Sequence, residues 1–175
     1  VINLSLGSAA RSNVVQQAVA RAARKNVLVV SSGGNENRPA LTYPAADADK
    51  GSAGERGVSV ASVDVTGVKS SFSNYARDVE LSAPGERVLG AYPDGQAAAW
   101  SGTSMSVPLL AGALALALAQ DPELAPSDLT GAMLDTARDL SALPGNRAYA
   151  GMLGSGALDV DAFLKRSLAR PAASR

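Results

Sequence analysis

The sequence predicts an α/β domain with a mainly parallel sheet, and three observations carry that prediction. A strand-like apolar opening, Val1 to Gly7, is followed by a segment of helical period and then by a second apolar run, Val27-Leu28-Val29-Val30. Strand, helix and strand in this order form a βαβ unit, whose two strands are parallel neighbours with the helix covering one face. The most apolar stretch, Val107 to Ala119, is short of the ~20 residues that span a bilayer and reads as a core helix. A six-residue alternating strand, Val58-Ser59-Val60-Ala61-Ser62-Val63, supplies a further sheet member.

Taken in order, the elements begin abruptly. No cap, turn or initiator methionine precedes the first apolar run, so the chain is expected to start inside a domain and to be an incomplete part of it. Ser12 or Asn13 is placed to cap a helix reaching about Lys25, with Val14, Val15, Ala18, Val19 and Ala22 at helical spacing. The stretch Ser32 to Gly57 is rich in Gly, Pro, Asn and Asp and reads as loop. Short strands are predicted at Val79 to Leu81, Val88 to Tyr92 and Ala97 to Trp100, the last two joined by a turn at Asp94-Gly95. Helices are predicted from Ser104 to Gln120, from Pro126 to about Arg138 and from Asp159 to Leu168, giving one domain over 1–168 and a disordered tail over 169–175. In a βαβ sheet the active edge lies at the carboxyl ends of the strands.

Composition narrows the function. The 175 residues carry 16 basic and 16 acidic side chains, and neither sign gathers into blocks, which disfavours nucleic acid and anionic membrane as partners. There is no cysteine, so disulfides and thiolate metal sites are excluded. Histidine is absent too, so the usual general base for a serine nucleophile must come from elsewhere. Asp47, Asp49 and Asp64 lack a regular calcium-ligand spacing and read as solvated loop acids, so structural calcium is left open without support.

The strongest chemical signal is Gly102-Thr103-Ser104-Met105-Ser106-Val107-Pro108, between the predicted hairpin and the most apolar helix. A serine opening a helix sits among unpaired N–H groups at the dipole's positive end, which suits an attacking oxygen and the oxyanion that follows. A plain N-cap would also place a serine there. The heptapeptide resembles the nucleophile motif of the subtilase family, usually Gly-Thr-Ser-Met-Ala-x-Pro-His, with Ser104 at the nucleophile; Ser106 and Leu109 replace the usual alanine and noncatalytic histidine. Pro108 withholds one helical donor, which either frees the Ser104 carbonyl or kinks the helix start.

Other segments extend the resemblance. Val29-Val30-Ser31-Ser32-Gly33-Gly34-Asn35-Glu36-Asn37, a buried strand running into a glycine-rich turn, resembles the family's Ala-Ala-Gly-Asn-Glu motif, which implies that the Asn35 amide and the Ser104 N–H hold the oxyanion together. Ser5-Leu6-Gly7 matches the segment whose backbone pairs with an extended substrate. By the same resemblance Ser32, Gly33 and Gly34 line the pocket for the residue before the scissile bond, with Thr42 near its floor. Tyr43-Pro44-Ala45, Ser71-Phe72-Ser73-Asn74, Leu81-Ser82-Ala83-Pro84-Gly85 and Gly154 to Asp159 follow in family order, and Asp47 to Arg56 departs as a variable loop.

The resemblance implies a three-layer fold and a serine endopeptidase that needs no cofactor for its chemistry and acts on protein or peptide substrates. Its triad Asp and His are expected upstream of Val1, in a half of the same catalytic domain that would be this chain's partner, so the chain alone is expected to be inactive. The alternative is a catalytically silent, subtilase-like scaffold that binds peptides. Compartment is not fixed by the sequence, the family's usual export giving only a default.

Overall fold

The computed structural model describes residues 1–48 and 57–169. Four strands, β1 (Ile2–Leu4), β2 (Val29–Ser32), β3 (Val58–Val63) and β4 (Leu81–Pro84), form one sheet in that order, and every neighbouring pair is parallel. Helix α1 (Asn13–Ala23) connects β1 to β2, as the βαβ reading expects, and the Ser12 hydroxyl caps it by accepting from the Val15 amide. A separate antiparallel hairpin, β5 (Val88–Tyr92) and β6 (Gln96–Trp100), turns through Asp94 and Gly95, both at positive φ. Helices α2 (Thr103–Gln120), α3 (Pro126–Asp135) and α4 (Val160–Leu168) follow, with short 3-10 turns at Ala45–Asp47, Pro93–Gly95 and Pro144–Tyr149.

Helix α2 organises the core. Val107, Leu110, Ala113, Leu114 and Ala117 recur at helical spacing and are all buried. They pack with Val30, Val60, Leu81 and Ala83 of the sheet and with Leu129, Met133 and Phe163 of the other helices. Cutting Leu110 or Leu114 to Ala is expected to cost about 2–5 kcal/mol. The opposite pleat carries Ala61, which joins Leu41, Ala45 and Val79 in a smaller cluster, so the sheet is covered on both faces in three layers. By length and composition α2 would suit a membrane span, yet its apolar stripe is committed to the sheet, as befits a core helix.

Several boundaries depart from the sequence reading, each for a tertiary reason. Strand β1 stops at Leu4, because the polar groups of Ser5 turn to α2 and Ser8 pairs with Tyr43 instead. Pairing of β2 starts at Val29, opposite Ile2, and runs into Ser31 and Ser32. Strand β4 starts at Leu81 and not at Val79, since the Val79 amide closes a turn onto Ala76. Helix α3 ends at Asp135, short of Arg138, whose backbone is taken by a two-way pairing with Ala157. The apolar stripe of α1 is not buried: none of its residues is, and Val14 is 77% exposed. Of the predicted tail only Ala169 is among the described residues, as only Asp47 and Ala48 are of the variable loop.

Candidate active site

The site forms where the carboxyl ends of β1, β2 and β4 meet the first turn of α2. Gly102 precedes the helix at φ +155, a backbone conformation L side chains rarely adopt. Its N–H donates to the Gly85 carbonyl just beyond β4, which fixes where the helix begins. Thr103 is wholly buried, and its side-chain oxygen is a hub: it meets the Ser32 hydroxyl at 2.9 Å, accepts from the Gly34 amide at 3.3 Å and donates to Asn35 Oδ1 at 2.9 Å.

The Thr103 backbone fixes the orientation of Asn35. The Thr103 N–H, which can only donate, reaches Asn35 Oδ1 at 2.8 Å. The amide oxygen is thereby turned inward to the helix start, and Nδ2 is left facing out. A methyl placed on Gly102 would touch Asn35 Nδ2 at 3.5 Å, Asn35 Oδ1 at 3.8 Å and the Ser104 amide nitrogen at 3.8 Å, so the Asn35 amide and the Ser104 amide nitrogen lie beside the same point.

Ser104 is half-buried, and its hydroxyl donates to the Ser5 carbonyl at 3.1 Å. The Ser5 hydroxyl in turn donates to the Ser104 carbonyl at 2.8 Å. Leu6 and Gly7 are exposed beyond β1. Thr42 is buried; its hydroxyl donates to the Ser32 carbonyl at 3.2 Å and its amide to the Gly33 carbonyl at 3.0 Å. Side chains at Gly7 or Gly34 would strike Thr42. All nine residues singled out from sequence therefore gather at one edge of the sheet.

Residues whose importance the sequence did not disclose hold the loop after β2. Asn74 is fully buried; its Nδ2 donates to the Gly33 carbonyl at 3.1 Å and to Glu36 Oε2 at 2.6 Å, while its Oδ1 accepts from the Glu36 and Arg38 amides. Lys69 is buried with its ammonium over the rings of Tyr75 and Tyr149, and it donates to Asn37 Oδ1 at 2.8 Å and to the Ser70 carbonyl at 3.0 Å. Burial in this cage lowers the lysine pKa. Asn74 ends the family-like segment Ser71-Phe72-Ser73-Asn74 but no role could be read for it, and nothing marks Lys69, because each acts on a loop more than thirty positions away.

No group of three His, Cys, Asp or Glu side chains gathers to hold a metal among the described residues. Asp47 pairs with Arg11 at 2.8 Å, and Asp64 accepts from Thr66 and Val68, whereas Asp49 lies outside the described residues.

A profile of the Subtilase family matches residues 1–156. Subtilisin BL of Lederbergia lenta is 33% identical over 162 residues, covering 93% of this chain and 55% of that protein. The thermostable alkaline protease of Halalkalibacterium halodurans is 38% identical over 122 residues, covering 70% of this chain and 32% of its own. A protease structure from Pseudoalteromonas arctica superposes with a TM-score of 0.79 at 28% identity, covering 95% of this chain and 50% of that one. The chain thus spans about half, or less, of the length of these relatives.

Proposed function

This chain belongs to the subtilase family of peptidases, and from that membership we propose that it carries the nucleophile, oxyanion hole and substrate-binding edge of a serine endopeptidase. Ser104 Oγ attacks the scissile carbonyl carbon as a base removes its proton. The carbonyl oxygen, now negative, receives hydrogen bonds from the Ser104 amide and Asn35 Nδ2. Collapse of the tetrahedral adduct expels the amine, which takes up the proton, and water then hydrolyses the acyl ester on Ser104. The observation that carries this reading is that Asn35 sits beside the start of α2, its oxygen tied back to Thr103 and its Nδ2 close to the Ser104 amide nitrogen at Gly102.

The substrate is a protein or peptide held in extended form. Ser5, Leu6 and Gly7 offer backbone groups to it, and Ser32, Gly33 and Gly34 line the pocket for the residue before the cut, with Thr42 beneath. The base and its acid come from an upstream half of the same domain, because this chain has no histidine. Two features favour docking of that half along β1: the strand stands at the edge of the sheet order, and Val1 and Ile2 are exposed. The chemistry requires no cofactor.

The test mixes the chain with its natural upstream segment and measures chromogenic peptide cleavage and fluorophosphonate labelling, with Ser104→Ala as control. Cleavage and labelling that need both parts and Ser104 are expected, because a serine hydroxyl without a base is a weak nucleophile. Vigorous cleavage by the chain alone refutes the missing base. A folded but silent pair favours a peptide-binding scaffold.

A further inference from the structure

In an α-helix the carbonyl of residue 104 accepts the N–H of residue 108. Residue 108 here is proline, which has no N–H and whose ring crowds that carbonyl. The first turn of α2 would therefore carry an orphan acceptor on the very residue that bears the nucleophile. An orphan at that point lets the turn tilt toward water, and Ser104 Oγ tilts with it.

We propose that the Ser5 side chain is a positioning residue for Ser104, its hydroxyl supplying from β1's end the hydrogen bond that Pro108 withholds inside the helix. The Ser5 hydroxyl donates to the Ser104 carbonyl at 2.8 Å, across 99 positions of sequence. Its own direction is fixed from behind, because Asn3 Nδ2 donates to Ser5 Oγ at 3.0 Å and leaves the hydroxyl proton for Ser104. The return bond, Ser104 Oγ to the Ser5 carbonyl at 3.1 Å, holds the same residue by its side chain. Ser104 is thus gripped at carbonyl and hydroxyl by one residue. When a base takes over the hydroxyl, the carbonyl grip remains.

This role goes beyond backbone pairing of Ser5 with substrate, and its catalytic arm rests on Ser104 being the nucleophile. The experiment is a double-mutant cycle of Ser5→Ala and Pro108→Ala, made in the complete catalytic domain and read by steady-state kinetics and by thermal unfolding. With Pro108 present, Ser5→Ala is expected to lower kcat about tenfold, while KM moves less than about twofold, since the lost bond positions the attacking group and not the substrate. In the Pro108→Ala background the helix regains its own donor to the Ser104 carbonyl, and the same change is expected to cost less than about threefold. The unfolding midpoint follows the same pattern, falling by about 2–4 °C only where Pro108 is retained.

If the domain proves to be a silent scaffold, the thermal arm still decides, so failure of the function and failure of this inference are separable. Equal losses in both backgrounds, or no loss from Ser5→Ala with Pro108 present, overturn the proposal. Should Ser5→Ala fail to fold alone, folding of the double variant supports it, and failure of both overturns it.

Discussion

Replacing Thr103 by Val removes one oxygen from a wholly buried position while keeping the volume. Three partners lose it: the Ser32 hydroxyl at 2.9 Å, the Gly34 amide at 3.3 Å and Asn35 Oδ1 at 2.9 Å. The Ser32 hydroxyl can rotate, and Asn35 Oδ1 keeps the Thr103 amide at 2.8 Å, so the stranded group is the buried Gly34 N–H. A buried donor without a partner costs about 1–3 kcal/mol, which sets the expected loss in urea unfolding. Turnover should fall more gently than on losing Asn35, the proposed oxyanion donor, a loss that for such a donor in subtilisin costs about a hundred- to a thousandfold. Asn35 retains one of its two inward bonds, so about a tenfold drop in kcat is expected with KM nearly unchanged, read on the reconstituted enzyme with a chromogenic peptide. A drop equal to that of Asn35→Ala would refute the reasoning, since Thr103 would then be a donor to the substrate. An unchanged kcat would refute it from the other side, showing that the hydroxyl does not hold the amide.

Two further outcomes are expected. Gly85→Ala would drive a methyl into the Gly102 carbonyl at 2.7 Å as well as onto the Ser62 and Ser106 hydroxyls; because the backbone atom cannot swing aside, at least about 1–3 kcal/mol of stability should be lost, and a wild-type urea midpoint would show that the helix start is not pinned there. For Lys69 the folded pKa lies below the unfolded value of 10.5, so the unfolded chain binds more protons as pH climbs toward 10.5. Wild type should therefore gain stability relative to Lys69→Met over that alkaline range and level off above it, and parallel pH profiles for the two proteins would contradict a buried ammonium.

The parts of the fold legible in the sequence are those set by neighbours in the chain. Alternation over Val58–Val63 gave a strand with those bounds, and the Ser12 cap and Asp94-Gly95 turn stand where their side-chain chemistry puts them. Boundaries fixed by distant partners were illegible: α3 is cut short because Arg138 pairs with Ala157, and that pairing has no local signature. Periodicity on α1 announced an apolar stripe but could not say what would cover it, and Val14 stands exposed. The same division runs through the site. The heptapeptide around Ser104 and the turn at Asn35 were visible as motifs, whereas the grip of Ser5 on Ser104 joins residues 99 apart, and the Asn74 clamp reaches Glu36 across 38.

The polar contacts around α2 explain why so apolar a helix starts at so polar a place. Its interior needs only a stripe of Val, Leu and Ala, but its first turn leaves N–H groups and, through Pro108, a carbonyl without helical partners. The sheet supplies those partners from separate strands. The end of β1 gives the Ser5 hydroxyl to the Ser104 carbonyl, the loop after β2 gives Asn35 Oδ1 to the Thr103 amide, and the residue after β4 takes the Gly102 amide on the Gly85 carbonyl. Ser106, where the family usually has alanine, adds a fourth tie by donating to the Ala83 carbonyl at 3.0 Å. The backbone around Ser104 is thus tied to β1, β2 and β4 at once, so Ser104 and Asn35 owe their placement to the sheet. Under the proposed function, what an incoming base would add is proton transfer at a hydroxyl already held by the Ser5 carbonyl.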